Sequence, residues 1–76
     1  MPKIPQISGK NLIKAFKKEE WVEVSQKGSH IKLVKKLTPV GKNTVIIPNH
    51  KVIKKGTLSR ILKDANISIE KLKSLL

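Results

Sequence analysis

The sequence predicts a two-layer α+β domain in the order helix, three antiparallel strands, helix, short helix. Three observations predict it. Apolar residues recur at helical spacing over roughly residues 9–19, the period drops to two from Trp21, and helical spacing returns after Gly56-Thr57. Taken in order, Met1 to Ile7 contains Pro2 and Pro5 and shows no periodicity, which predicts an extended lead-in. Ser8 offers an N-cap to the first helix. In that helix Leu12, Ile13 and Phe16 share one face, and Lys10, Lys14, Lys17 and Lys18 turn mostly to water.

The strands follow from alternation. Val22 and Val24 alternate with Glu23 and Ser25, and Ile31 and Leu33 alternate with His30 and Lys32. Between these runs, Gly28-Ser29 reads as a two-residue hairpin loop in which the glycine takes the φ > 0 position of a type II′ turn. Residues 38–43, Thr-Pro-Val-Gly-Lys-Asn, predict a turn, and Thr44 to Ile47 a third strand that Pro48 ends. The second helix carries Leu58, Ile61, Leu62 and Ala65 on one face, with Asn66 suited to a left-handed C-terminal position. Ser68 caps a final turn or two in which Glu70 complements the helix dipole and Ile69, Leu72, Leu75 and Leu76 supply apolar surface. Trp21, at the helix-to-strand junction, is expected to close the core rather than to stack on bases.

Composition bounds the function. The chain has 76 residues, 17 of them Lys or Arg against 5 Asp or Glu, for a formal charge of +12. A field of that sign attracts phosphate backbones, acidic proteins or anionic membranes. The length predicts a single domain over residues 1–76, and a domain this small buries only about 60% of the surface its unfolded chain exposes. Cysteine is absent, so neither disulfides nor thiolate metal sites reinforce the core. Without an apolar signal-peptide segment at the N-terminus, or any run near the ~20 apolar residues of a membrane span, the expectation is a soluble cytoplasmic protein.

Topology then gathers the chemistry. In an antiparallel meander the start of the second strand lies beside the end of the third, which places His30 near Pro48-Asn49-His50. The helix entrance Lys54-Lys55-Gly56-Thr57 follows a few residues on. Two histidines, a lysine pair and the N–H groups of a helix N-terminus are thereby expected at one edge, where an anion is favoured. A histidine side chain ordinarily titrates near neutrality, so His30 on an open sheet face is suited to moving protons in a bound polyanion. No Gly-rich phosphate loop, paired-carboxylate site or metal-ligand cluster accompanies it, and neither a metal nor a cofactor is expected.

These residues also carry a resemblance. Ser8-Gly9-Lys10, Gln26-Lys27-Gly28-Ser29-His30, Pro48-Asn49-His50 and Lys54-Lys55-Gly56-Thr57-Leu58 leading into Ile61-Leu62-Lys63 stand in the order and spacing of the HicA toxins, and the chain resembles that family over nearly its whole length. Two positions depart from the pattern: Glu20-Trp21 stands where the family commonly has Gly-Phe, and Asn66 where Gly is frequent. The resemblance implies a fold like that of double-stranded-RNA-binding domains, mRNA interferase activity, and neutralisation by a HicB antitoxin. It also implies that His30 is catalytic. The mechanism expected is metal-independent cleavage of RNA with His30 as general acid or base and His50 as a possible second proton-transfer group. Lys27, Gly28, Ser29, Lys32, Lys54 and Lys55 are the expected RNA-binding residues, and an acidic antitoxin is expected to cover the same edge. The alternative is a non-catalytic double-stranded-RNA-binding module, which would use the same charges without needing the histidine.

Overall fold

A computed structural model describes residues 6–37 and 41–76. Its elements are α1 (Gly9–Lys18), β1 (Val22–Lys27), β2 (His30–Lys36), β3 (Lys42–Pro48), α2 (Lys55–Ala65) and α3 (Ile69–Leu75). The strands form one antiparallel sheet in the order β1-β2-β3, giving the α-β-β-β-α-α architecture expected. The lead-in over Met1 to Pro5, and Thr38 to Val40 of the expected turn, lie outside the described residues.

Each helix begins and ends for local reasons. The Ser8 hydroxyl accepts the Asn11 N–H at 3.1 Å, and the Ser68 hydroxyl accepts that of Lys71 at 3.0 Å, so both serines satisfy a donor that the helix itself cannot. Helix α2 lacks such a cap and starts at Lys55, earlier than expected, which puts Gly56 and Thr57 in its first turn. It ends at Asn66, whose φ of 58° is the left-handed conformation expected there. Glu20 also has a positive φ, 70°, and among the described residues these two are the non-glycine ones in that region. They are the positions where the resembled family tends to have glycine, and the reason is now physical: a Cβ is penalised at positive φ.

Helices α1 and α2 cover one face of β2 and β3. Ile31 and Leu33 from β2 and Val45 and Ile47 from β3 pack there against Leu12, Phe16 and Leu58. Burying a side chain such as Leu12 or Phe16 completely contributes about 1.5–3 kcal/mol. Trp21 is buried with its ring centroid 5.2 Å from that of Phe16, so it does close the core. Helix α3 adds Leu72 fully and Leu75 in part, whereas Leu76 stays exposed.

Strand β1 departs from its alternating sequence. All six of its residues are exposed, Val22 and Val24 by 59% and 54%, because the helices stop short of this edge. A bulge between Glu23 and Ser25 also breaks the alternation, pairing Val22 with Val34 on one side and Ser25 with Lys32 on the other.

Candidate functional site

The hairpin puts His30 at the very start of β2, opposite Lys27 of β1 and Pro48 of β3. Gly28 has φ 61° while Ser29 does not enter positive φ, the pattern of a type II′ turn. The Gln26 side-chain amide donates to the Gly28 carbonyl at 3.1 Å and ties the loop to its strand. Residues of one parity then share the uncovered face. Lys27, His30 and Pro48 form its outermost cross-strand row, and Ser25, Lys32 and Ile46 the next.

The bulge decides the charge of this face. An unbulged β1 would put Glu23 in line with Ser25 and Lys27, on the same side as His30. The extra residue instead pairs Glu23 with Leu33 and hands its place opposite Val34 to Val22. None of the strands therefore places a carboxylate on the face that carries His30.

Two clefts adjoin the histidine. One, of about 400 Å³, is lined by Ser25, Lys27, His30, Lys32 and Ile46. The other, of about 330 Å³, is lined by His30, Ile46, Pro48, His50, Lys54 and Thr57. His30 and Ile46 form the divide between them. Both volumes fall in the roughly 300–1,000 Å³ range of small-ligand sites, and neither lining includes an acid.

The second cleft depends on backbone contacts between distant segments. The Asn49 N–H donates to the Ser29 carbonyl at 2.6 Å, extending the β2–β3 pairing one step past Pro48. The Gly9 N–H donates to the His50 carbonyl at 2.9 Å, and the Ile53 N–H to the Ile7 carbonyl at 2.9 Å, so the start of α1 grips the Pro48–Ile53 connection from behind. Gly9 is required here for space. A Cβ at this position would collide with the Pro48 carbonyl oxygen and stand 2.9 Å from Asn49 Cα.

The expected site residues are thus only partly brought together. His30, Lys27 and Lys32 share one cleft, and His30, His50 and Lys54 the other. Lys55 is exposed as the first residue of α2 and lines neither. Gly28 and Ser29 contribute the turn and a carbonyl rather than side chains to the cleft walls. Ile46 lines the site without having been singled out from sequence, and Thr57, named there as part of the helix entrance, adds its side chain to the second cleft. Ile46 was findable, since the meander register places it two residues from His30's partner on the same face. Gly9 carried a weaker signal, a glycine just after a helix N-cap. Among the described residues, no three His, Cys, Asp or Glu side chains cluster as a metal site.

The family model described as HicA toxin of bacterial toxin-antitoxin matches residues 9–67. The chain belongs to the HicA toxin family. The matched stretch runs from Gly9, at the back of the His50 cleft, through the His30 hairpin to the end of α2. It therefore contains every side chain that lines either cleft beside His30. No curated protein and no solved structure matches the chain. Family membership establishes the toxin role within a toxin–antitoxin pair. No described helix is long and apolar enough to cross a membrane.

Proposed function

We propose that this HicA toxin is an endoribonuclease that cleaves mRNA by proton transfer at His30 and is neutralised by a HicB-type antitoxin. The observation that carries the reading is the exposed His30, set between two clefts whose charged side chains are all cationic. The 2′-hydroxyl attacks the adjacent phosphorus while an imidazole takes its proton or supplies one to the departing 5′-oxygen. Lys27 and Lys32 on one side, and Lys54 on the other, counter the charge that gathers on the phosphoryl oxygens. Lys55 and the backbone of Gly28-Ser29 lie where flanking phosphates approach.

Binding is electrostatic rather than by base stacking. The single Phe and single Trp are both buried, and the chain has no Tyr, so the open face offers no Phe, Tyr or Trp platform. Metal independence follows from the donor set: the clefts present imidazoles, ammonium groups and hydroxyls, which make a poor cage for a divalent cation.

An acidic antitoxin fits the same face. Charge complementarity steers association, and carboxylates seated beside Lys27 and Lys32 in one cleft, or beside Lys54 in the other, exclude RNA by occupying its site. Its association with the toxin should slow as salt shortens the Debye length below about 10 Å.

The test is His30→Ala, assayed on RNA in EDTA alongside the wild type. Wild-type cleavage should persist in EDTA and leave 2′,3′-cyclic phosphate ends, while the variant should lose about 10²- to 10⁴-fold in rate and no longer arrest growth. It should still bind RNA. Cleavage by the variant at the wild-type rate, or 3′-hydroxyl products, would refute the mechanism. Binding by a wild type that cuts nothing would favour the non-catalytic module.

A further inference from the structure

We infer that His50 is the second catalytic residue of this toxin, performing the proton transfer that His30 does not. The inference rests on the ribonuclease reading above and extends it to a side chain on a different segment. Cleavage through the 2′-hydroxyl forms the O2′–P bond and breaks the P–O5′ bond. One proton leaves O2′ and one arrives at O5′, so the reaction balances with one base and one acid and needs no outside reagent. The attacking and leaving oxygens lie on opposite sides of phosphorus in an in-line displacement, so one side chain is poorly placed to serve both.

The structure supplies two imidazoles on the walls of a single cleft. His30 enters from the start of β2 and His50 from the connection after β3, with Lys54 and the Thr57 hydroxyl beside them. A cleft of about 330 Å³ admits a phosphodiester and its two ribose oxygens. Lys54 is then positioned to neutralise the phosphoryl oxygens between the two histidines.

The placement of His50 is specified by the fold and is not that of a slack loop. Its carbonyl is bonded by Gly9, its neighbour Asn49 is bonded to Ser29 next to His30, and Ile53 is bonded to Ile7. These three contacts connect the His50 backbone to the His30 hairpin and to the start of α1. The His50 side chain itself is exposed and takes part in none of the side-chain hydrogen bonds among the described residues. Among the described residues nothing in the packing uses this imidazole, and its substitution should leave the fold intact.

The experiment compares wild type, His30→Ala, His50→Ala and His50→Gln on an oligoribonucleotide carrying a site that the wild type cuts. A second substrate has sulfur in place of the bridging 5′-oxygen at that site. A thiolate leaves without help from an acid, so the variant lacking the general acid is rescued by sulfur and the variant lacking the base is not. Both His50 variants should melt like wild type and lose about 10²-fold or more on ordinary RNA. Exactly one of His30→Ala and His50→Ala should recover on the sulfur substrate, and each should keep only one limb of a bell-shaped pH profile. His50 variants within threefold of wild type, with His30→Ala inactive, would overturn the inference and leave the ribonuclease reading standing. Loss in both with rescue of neither would reduce His50 to a structural part. If the wild type cuts no RNA, it is the underlying reading that fails.

Discussion

The two ends of the sheet carry cavities of opposite character. Where β2 runs toward β3, a groove of about 760 Å³ is lined by Glu19, Trp21 and Lys71 among others, larger than either cleft beside His30. There Glu19 accepts a bond from Lys71 at 2.8 Å, the one ion pair among the described residues, with Lys35 nearby. At the opposite end, the smaller clefts beside His30 hold cations and no carboxylate. One end holds a carboxylate paired with Lys71 in a contact that joins α1 to α3, where Lys18 also bonds the Leu75 carbonyl at 2.8 Å. The other leaves its positive charge unpaired, which is costly to a lone domain and useful to one that meets a polyanion.

Changing charge at the two ends should separate them most sharply. Each single-stranded phosphate contact adds about 0.7 to the slope of log affinity against log salt, or roughly fourfold in affinity at about 0.15 M. Replacing Lys27, Lys32, Lys54 and Lys55 together by Gln should thus weaken RNA binding by roughly two hundredfold and flatten the salt dependence. Lys35→Gln with Lys63→Gln, at the far end, should leave binding within a fewfold. Equal losses from the two sets, measured by salt titration, would show that charge is used without regard to position.

Next in size is Gly9→Ala. The new methyl meets backbone, which yields less readily than a side chain, so the change should cost about 1–3 kcal/mol of stability. Because the displaced atoms belong to Pro48 and Asn49, cleavage should fall as well, even at temperatures where the variant is fully folded. Denaturant melts paired with a cleavage assay would reveal whether stability and activity move together.

A smaller gain is expected at the structural end. Glu20→Gly relieves a positive φ but gives the unfolded chain more freedom, for a net stabilisation of about 0.5–1 kcal/mol. Cleavage should be unchanged. A lower melting temperature would mean that the Glu20 side chain matters more than its backbone.

The smallest effect concerns pH. The hydrogen bond from Lys71, aided by the charges of Lys71 and Lys35, holds the Glu19 carboxyl below its usual value of 4.5 against a weaker opposing effect of burial. A carboxyl lowered on folding stabilises the fold above its unfolded pKa, and that contribution disappears as pH falls through the folded one. Glu19→Gln should remove this slight acid sensitivity below about pH 4.5, and high salt should mask it, as for other exposed pairs. An unchanged acid limb in the variant would place the sensitivity in another carboxylate.

Local rules made most of the architecture legible before any coordinates. Ser8 and Ser68 cap because their hydroxyls compete for orphan N–H groups, Gly28 turns because only it lacks a Cβ, and the 2-to-3.6 switches in period mark strands from helices. The meander even brought His30 to His50, since in antiparallel neighbours the start of β2 lies beside the end of β3, with His30 opposite Pro48. All of these depend on neighbours a few residues away, or on the pairing of strands adjacent in the chain.

Tertiary structure alone decided the rest. Nothing in Val22-Glu23-Val24-Ser25 announces a bulge, because the extra residue is absorbed only when β1 pairs with β2, and that choice keeps Glu23 off the face of His30. The exposure of β1 likewise depends on how far α1 and α2 reach across the sheet. Gly9 reads as an ordinary helix start until Pro48 and Asn49, some forty residues along the chain, close over it. Local conformational preference is written in short stretches of sequence. Which atoms then compete for the same space is settled only when distant segments pack.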